Sequence, residues 1–180
     1  MAIVSSAAAG LRAATPSPLR GEGLKRISAT IIQLRAPGLS TALFETEARE
    51  LLASTSIPVV VSSRCDVALA TGAAGVHLPE SDISVAEART LLGRQLVGRS
   101  VHSIAAAQQA EREGADYVIF GPVWESASHP GTKAAGLDAL AQLVRSVGIP
   151  VVAIGGVTEA RVDEILAVGA AGYAAIRRFE

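Results

Sequence analysis

A chain of 180 residues, 49% of them apolar, can bury one real hydrophobic core but is too short for two domains. Its formal net charge of −1 gives no electrostatic basis for binding nucleic acid or an acidic membrane surface, so neither partner is expected. The single cysteine, Cys65, excludes an intrachain disulfide and a multi-cysteine metal site. No apolar run approaches the roughly 20 residues that span a bilayer. We therefore expect a soluble cytoplasmic protein.

The N-terminal stretch admits two interpretations. Residues 1–21 contain Arg12 and Arg20 but no acidic residue, a composition shared with transit peptides. Residues 2–5 also fit a short buried strand, which makes 7–23 a long mobile loop. We favour the strand, because the alternating pattern that follows requires a first strand.

From residue 30 onward, short β-branched runs alternate with segments rich in Ala, Leu, Glu and Arg that have helical apolar spacing. Strands are predicted at 2–5, 30–35, 58–63, 75–79, 96–101, 116–122, 150–155 and 171–176, and helices at 41–54, 65–71, 84–93, 104–113, 136–147 and 158–168. Short loops imply parallel strands with right-handed crossovers, and eight such strands imply a closed barrel. The predicted fold class is α/β, a small (β/α)8 TIM barrel forming one domain over residues 1–180.

Signals at the helix ends agree with these boundaries. Ser84, followed three residues later by Glu87, predicts a capping box, and Ser103 and Thr158 also occupy N-cap positions. Left-handed glycines are expected to close the helices at positions 72, 93, 114, 148 and 169. Such barrels usually have about 250 residues, so the final helix is expected to be absent or short. The barrel side that this leaves uncovered makes a homodimer plausible.

Two consecutive glycines, Gly155 and Gly156, follow the seventh predicted strand. Without a Cβ, their backbone N–H groups can approach an anion closely, and barrels often bind phosphate after strands seven and eight. The alternative is a tight turn into the next helix. The pattern favours phosphate binding.

His102 is the best candidate for proton transfer. Side chains alternate along a strand, so Ser100 and His102 are expected to face the barrel interior near its mouth, with Val101 on the opposite side. An imidazole has an ordinary pKa near 6.5, which suits acid–base chemistry at neutral pH. A hydrogen-bonded structural histidine is the competing interpretation.

Asp82, with Glu80, could contribute carboxylate oxygens to a magnesium ion. Asp82 also lies immediately before a predicted helix, where an acidic residue favours the helix dipole. We favour the second interpretation.

At this point the residues resemble a known group, the thiamine-phosphate synthase/TenI superfamily, over nearly the whole chain. The motifs that carry the resemblance are Gln33-Leu34-Arg35, Arg64-x-Asp66, Gly75-Val76-His77-Leu78, Gly98-Arg99-Ser100-Val101-His102-Ser103, Asp116-Tyr117-Val118-Ile119-Phe120-Gly121-Pro122-Val123 and Pro150-Val151-Val152-Ala153-Ile154-Gly155-Gly156. The resemblance implies a (β/α)8 barrel with a phosphate site at the Gly155-Gly156 turn and the end of strand eight, at Ile176 and Arg177.

The superfamily holds two activities. Synthases join a pyrimidine pyrophosphate to a thiazole phosphate and use magnesium to neutralise the departing pyrophosphate. Tautomerases similar to TenI move a proton on the thiazole phosphate with a histidine at the position of His102.

The sequence departs from the synthase pattern at several positions. Pro37 replaces a lysine, and Ser62-Ser63-Arg64 replaces Asn-Asp-Arg, whose Asp is a metal ligand. The stretch 77–82 is altered, although Asp82 remains, and a Thr-x-Thr-Lys motif becomes residues 126–129, with Lys133 displaced downstream. These departures favour proton transfer without a metal.

The resulting hypothesis is a thiazole-phosphate tautomerase without a cofactor. His102 would transfer the proton with Ser100 beside it, and the substrate would bind at Gln33, Arg35, Ser63 and Lys133. The phosphate would bind at Gly155, Gly156, Ile176 and Arg177. One alternative is a magnesium-dependent thiamine-phosphate synthase that uses Asp82. Another is a non-catalytic protein that binds the phosphorylated thiazole or pyrimidine.

Overall fold

The computed structural model describes residues 1–5, 29–125, 131 and 133–175. These residues fall into two compact units, one within Met1–His77 and the other spanning Leu78–Ala175. The predicted loop at 7–23 lies outside the described residues, as does any helix after the last strand. The prediction of one domain over 1–180 stays a prediction.

Every strand and helix predicted from the sequence is present, with ends within two residues of the predicted ones. The strands are β1 (Ala2–Ser5), β2 (Ile32–Arg35), β3 (Val59–Ser62), β4 (Gly75–Leu78), β5 (Leu96–Val101), β6 (Tyr117–Phe120), β7 (Val151–Ile154) and β8 (Gly172–Ala174). The helices are α1 (Thr41–Ser54), α2 (Cys65–Thr71), α3 (Val85–Leu92), α4 (Ile104–Arg112), α5 (Leu137–Ser146) and α6 (Glu159–Ala167). None of the helices in the described ranges is long and apolar enough to cross a membrane.

The strands of the first unit pair in parallel in the order β1-β2-β3-β4. Leu34 is in register with Val61, and Ser62 is in register with His77. Because parallel strands share their direction, the carboxyl ends of β2, β3 and β4 lie along the same edge of this sheet. That edge is where βα-barrel enzymes carry their functional side chains.

The strands of the second unit pair in parallel in the order β5-β6-β7-β8. Val101, Phe120 and Ala153 are aligned across β5, β6 and β7. The residues that follow these strands therefore emerge at one edge, which brings the loops after β5, β6 and β7 side by side.

The core consists of short apolar runs that are buried on both sides. Val59, Val60 and Val61 are all inaccessible to solvent although successive side chains of a strand point to opposite faces. In the second unit, α5 buries Leu140 and Leu143 and packs against β7. This pattern is typical of a parallel sheet with helices packed on it. Burying a side chain of this size fully contributes about 1.5–3 kcal/mol to the free energy of unfolding.

The structure confirms most of the predicted helix ends. Ser84 and Glu87 form the capping box, and Ser103 accepts a hydrogen bond from the backbone of Ala106. Thr158 is the N-cap of α6 but makes no side-chain cap bond. The prediction of a left-handed glycine at position 148 is wrong, because the chain becomes extended one residue earlier at Val147.

Gly98 in β5 packs directly against the ring of Tyr117 in β6. The two residues are paired in register, and a Cβ at position 98 would overlap the phenol ring. Tyr117 is 5% exposed, and burial raises the pKa of its hydroxyl, with Asp116 adding to the effect. The ring thus occupies space that a side chain on β5 would need.

We expect Gly98→Ala to lower the free energy of unfolding by about 1–3 kcal/mol, because the added methyl overpacks a buried contact. Gly148→Ala is the matched control, since a Cβ there meets only the end of the Glu111 side chain at 3.1 Å. Urea denaturation of both variants measures the difference. Equal stability of the two variants would contradict the proposed contact.

Candidate functional site

The bend after β7 requires glycine at two successive positions. Gly155 and Gly156 have φ angles of 94° and 65°, in the region that L side chains rarely adopt. A Cβ on Gly155 would lie 2.6 Å from Cβ of Pro122, and one on Gly156 would lie 2.6 Å from the carbonyl oxygen of Glu125. Both the backbone angles and the close approach of residues 121–125 therefore exclude larger residues.

The carbonyl groups of the bend all point toward neighbouring donors. The oxygen of Ile154 accepts from the backbone N–H of Val123 at 2.9 Å, and that of Gly155 accepts from Trp124 N–H at 3.1 Å. The Gly156 oxygen accepts from Nη1 of Arg161 at 2.7 Å. A peptide carbonyl and the N–H of the next residue point in opposite directions, so the N–H groups of Gly156 and Val157 point away from these donors.

The backbone N–H groups of Gly156 and Val157 donate to no acceptor within the described residues. Two successive amides with left-handed glycines beside them form the kind of concave donor group that binds anions. Phosphate binding at Gly155 and Gly156 stays a prediction, with which this geometry is compatible.

His102 begins the loop after β5 rather than continuing the strand. Strand β5 ends at Val101, which is buried, while the His102 side chain is 61% exposed. The prediction that His102 faces the barrel interior near its mouth stays a prediction. A hydrogen bond holds the ring, since Nδ1 lies 2.7 Å from the carbonyl oxygen of Gly121.

That hydrogen bond fixes the proton on the imidazole. A carbonyl oxygen can only accept, so Nδ1 must carry the hydrogen and donate it. In the neutral ring Nε2 then has a free lone pair, which is the state of a general base. Nε2 lies 3.7 Å from Oε2 of Glu80, a carboxylate that pairs with the ring when the ring is protonated.

His102 and the Gly155-Gly156 bend are connected through the segment after β6. The Gly121 carbonyl binds His102, and Gly121 itself packs so closely on the Ile154 carbonyl that a Cβ would overlap it. The imidazole and the glycine bend thus lie at the same edge of the second unit, joined by one short segment.

The loop between β4 and α3 carries both Glu80 and Asp82. Arg99 donates to the backbone oxygen of Ile83 at 2.6 Å and to that of Glu80 at 2.7 Å. Asp82 is partly exposed between these points, its N–H donates to Pro79, and its Oδ1 accepts from Ile83 N–H at 2.8 Å. One guanidinium therefore holds the loop that presents both carboxylates.

In the first unit, Gln33 is the most buried of the predicted site residues. It is 4% exposed, and its Nε2 donates to Oγ of Ser62 at 2.7 Å. Its Oε1 is buried without a hydrogen-bond partner in the described part of the chain. A buried amide oxygen of this kind is usually satisfied by water or a ligand.

Ser63 is the only non-glycine residue with a positive φ in the described ranges, at 65°. Its N–H donates to the carbonyl of His77 at 3.1 Å. Strained residues of this kind cluster at functional sites, and Asp and Asn adopt the conformation more readily than most others. Serine thus occupies a backbone position that suits aspartate.

Arg64 and Asp66 form a local ion pair at the start of α2, in which Nε lies 2.8 Å from Oδ1. The hydrogen bond from Arg64 lowers the pKa of Asp66 and raises that of Arg64. The stabilisation is present above the ordinary pKa of the carboxyl group and is lost as the pH falls and the carboxylate is protonated. We assign this pair to the helix start rather than to chemistry.

The remaining predicted residues are placed as follows. Arg35 is exposed at the end of β2, Ser100 is half-buried in β5, and Lys133 is exposed. Ile176, Arg177 and residues 126–130 lie outside the described residues. No role was predicted for Trp124 or Arg161, and the only signal in the sequence was the position of Trp124, four residues after the end of β6.

Comparison with known proteins gives consistent results. A family model described as thiamine monophosphate synthase matches residues 14–179. The thiamine-phosphate synthase of Chloroflexus aurantiacus is 41% identical over 152 residues, covering 82% of this chain and 70% of the relative. That of Methanoculleus marisnigri is 42% identical over 156 residues, covering 82% and 72%.

A solved structure extends the similarity to the fold. The thiamine phosphate pyrophosphorylase of Pyrococcus furiosus is 31% identical, has a TM-score of 0.80, and is matched over 97% of this chain and 84% of its own. This likeness confirms the predicted α/β fold class of the TIM-barrel kind. The names of these relatives favour the synthase alternative over the tautomerase that the sequence analysis preferred.

We expect Arg99→Ala to loosen the loop that carries Glu80 and Asp82, because two charge-assisted hydrogen bonds are lost. Amide hydrogen exchange at Asp82 and Ile83 should accelerate about tenfold. Arg112→Ala is the control, since that guanidinium binds the side chain of Gln109, three residues earlier. Unchanged exchange at both amides in Arg99→Ala would show that the loop holds its shape without the guanidinium.

Proposed function

Because the chain belongs to the thiamine monophosphate synthase family, we propose that it joins a pyrimidine pyrophosphate to a thiazole phosphate. In this reaction the bond from the pyrimidine half to pyrophosphate breaks, and the thiazole bonds to the same carbon. The protein's contribution is to hold two anionic substrates together and to stabilise the leaving group.

The glycine bend carries this proposal. The N–H groups of Gly156 and Val157 suit the phosphate of the thiazole half, and Gly156 adds no side chain that would block the anion. Because Gly155 and Gly156 also serve as the predicted phosphate residues, the sequence motif and the geometry support the same role. The neighbouring segment 121–125 fixes the bend before the substrate arrives, so little ordering cost remains on binding.

Residues of the first unit are proposed for substrate recognition. The buried Oε1 of Gln33 can accept a hydrogen bond from an N–H group of a heterocycle. Arg35 supplies an exposed positive charge at the end of β2, and Lys133 is an exposed cation in the second unit. A cation of this kind suits a phosphate or pyrophosphate group of a substrate.

The residues fit a magnesium ion only as one that is shared with the substrate. Groups of three or more His, Cys, Asp or Glu side chains able to hold a metal do not occur in the described ranges. Magnesium is commonly held by one or two carboxylates together with phosphate oxygens and water, and Asp82 can provide one carboxylate oxygen. When bound, the ion would neutralise charge on the departing pyrophosphate.

The synthase proposal predicts magnesium-dependent release of pyrophosphate when both half-molecules are present. Asp82→Asn should reduce turnover at least about tenfold, because it removes the anionic ligand. Asp138→Asn, at the exposed start of α5, is the control. Turnover measured across a magnesium titration tests both variants.

A gain-of-function variant sharpens this test. Ser63→Asp restores the carboxylate that the resemblance implies, at a position whose φ angle already suits aspartate. The magnesium concentration that gives half-maximal turnover should therefore fall several-fold. Wild-type protein that forms no thiamine phosphate at any magnesium concentration would contradict the synthase proposal.

A second candidate, the thiazole-phosphate tautomerase, is favoured by one observation. The hydrogen bond from Nδ1 to Gly121 leaves Nε2 of His102 as a free base, with Glu80 at 3.7 Å to pair with the protonated ring. In this reaction His102 would remove a proton from the ring carbon and return it to the exocyclic carbon. Ser100 would help to orient the substrate.

We expect His102→Asn to keep thiazole-phosphate binding and to lower tautomerisation 10²–10⁴-fold, about the contribution of general acid–base catalysis. The Asn amide nitrogen can replace Nδ1 in the bond to Gly121, whereas His102→Ala loses both the bond and the base. Tautomerisation assays on both variants separate catalysis from support of the loop. Full tautomerase activity of His102→Asn would show that His102 takes no part in catalysis. Wild-type protein that binds thiazole phosphate but catalyses neither tautomerisation nor thiamine phosphate formation would be a non-catalytic binder.

A further inference from the structure

Arg161 in α6 makes two contacts at the glycine bend. Its Nη1 donates to the carbonyl oxygen of Gly156 at 2.7 Å, and its guanidinium carbon lies 4.7 Å from the centroid of the Trp124 ring. Both residues are partly exposed, so the pair lies at the surface edge of the bend. A guanidinium over an indole face is an attractive arrangement, and tryptophan is the aromatic residue that favours it most.

Peptide planarity turns these contacts into control of the amide directions. The carbonyl of one residue and the N–H of the next belong to the same rigid plane and point in opposite directions. The Trp124 N–H that binds the Gly155 oxygen therefore sets the direction of the Gly156 N–H. In the same way, Arg161, by binding the Gly156 oxygen, sets the direction of the Val157 N–H.

Without these anchors, either peptide plane could rotate. Glycine has few steric barriers to such a change, and a rotated plane would present a carbonyl oxygen to the anion in place of an N–H group. The Gly155–Gly156 plane is anchored by a main-chain donor. The Gly156–Val157 plane depends on one side chain, that of Arg161.

We propose that Arg161, seated on Trp124, is a positioning residue for phosphate binding that keeps the Val157 N–H directed at the anion. The inference rests on the proposed use of the bend as a phosphate site. It adds a residue that does not need to touch the substrate, because it acts through the Gly156 carbonyl.

The two contacts together require arginine rather than lysine. A planar guanidinium can lie on the indole ring and still donate in its own plane, whereas a lysine ammonium is a compact, strongly hydrated point charge. Arg161→Lys therefore keeps the positive charge but loses the combined geometry. This substitution separates positioning from a long-range charge effect.

The experiment titrates inorganic phosphate into wild-type protein, Arg161→Lys and Arg161→Gln. Trp124 is the only tryptophan in the chain, so its fluorescence reports directly on the bend. We expect both variants to bind phosphate about tenfold or more weakly, since a charge-assisted hydrogen bond is lost. Arg145→Lys, an exposed position near the end of α5, is the control and should bind as the wild type does.

A second readout distinguishes positioning from general destabilisation. Phosphate should shift the NMR amide resonances of both Gly156 and Val157 in the wild type, and the Val157 shift should be lost selectively in Arg161→Lys. In turnover, the KM for thiazole phosphate should rise while kcat changes little. Trp124→Leu, followed by the NMR shifts because it removes the fluorophore, should weaken binding in the same direction, since it removes the surface on which the guanidinium rests.

The outcomes separate this inference from the proposed function. Wild-type protein that binds no phosphate and shows no amide shifts would overturn both. Wild-type binding that is matched by Arg161→Lys but lost in Arg161→Gln would mean that Arg161 contributes charge alone, and would overturn only the positioning role. Equal binding by all three proteins would also overturn it while leaving the phosphate site intact.

Discussion

The structure of the candidate site depends on the main-chain contact between residues 121–125 and the bend after β7. The amides of Val123 and Trp124 donate to the bend, while the carbonyls of Pro122 and Val123 accept from residues 135 and 136 ahead of α5. A segment that is bonded on both sides cannot shift without breaking several hydrogen bonds at once. Both His102, through Gly121, and the glycine bend take their positions from it.

Two arginines of the second unit extend this arrangement by the same physical means. Arg99 binds two carbonyls of the loop that carries Glu80 and Asp82, and Arg161 binds the Gly156 carbonyl. In each case a cation neutralises backbone oxygens that would otherwise add negative partial charge beside anionic substrates. Their positive charges would also favour the phosphate groups of the proposed substrates, so one residue type would serve both the loop geometry and the local potential.

The sequence predicted features that depend on local chemistry and missed those that depend on long-range contacts. Alternating β-branched and helix-forming runs located every strand and helix, and the spacing of Ser84 and Glu87 located a capping box. By contrast, Glu80 and His102 are brought near each other only by folding, and so are His102 and the Gly121 carbonyl. The prediction for Gly148 was wrong because Val147 becomes extended before the glycine is reached.

Whether the departures from the synthase motifs exclude a metal depends on how many ligands the protein itself must give to magnesium. The loss of the carboxylate at Ser63 counts against a metal only if the protein alone must satisfy the cation. A pyrophosphate brings several anionic oxygens of its own. Asp82 is held in a fixed loop, because its Oδ1 accepts from Ile83 N–H and Arg99 donates to two carbonyls of the loop. A single carboxylate held in this way can be enough to orient an ion that the substrate shares. The serine at position 63, in a conformation that suits aspartate, therefore does not by itself argue against a metal.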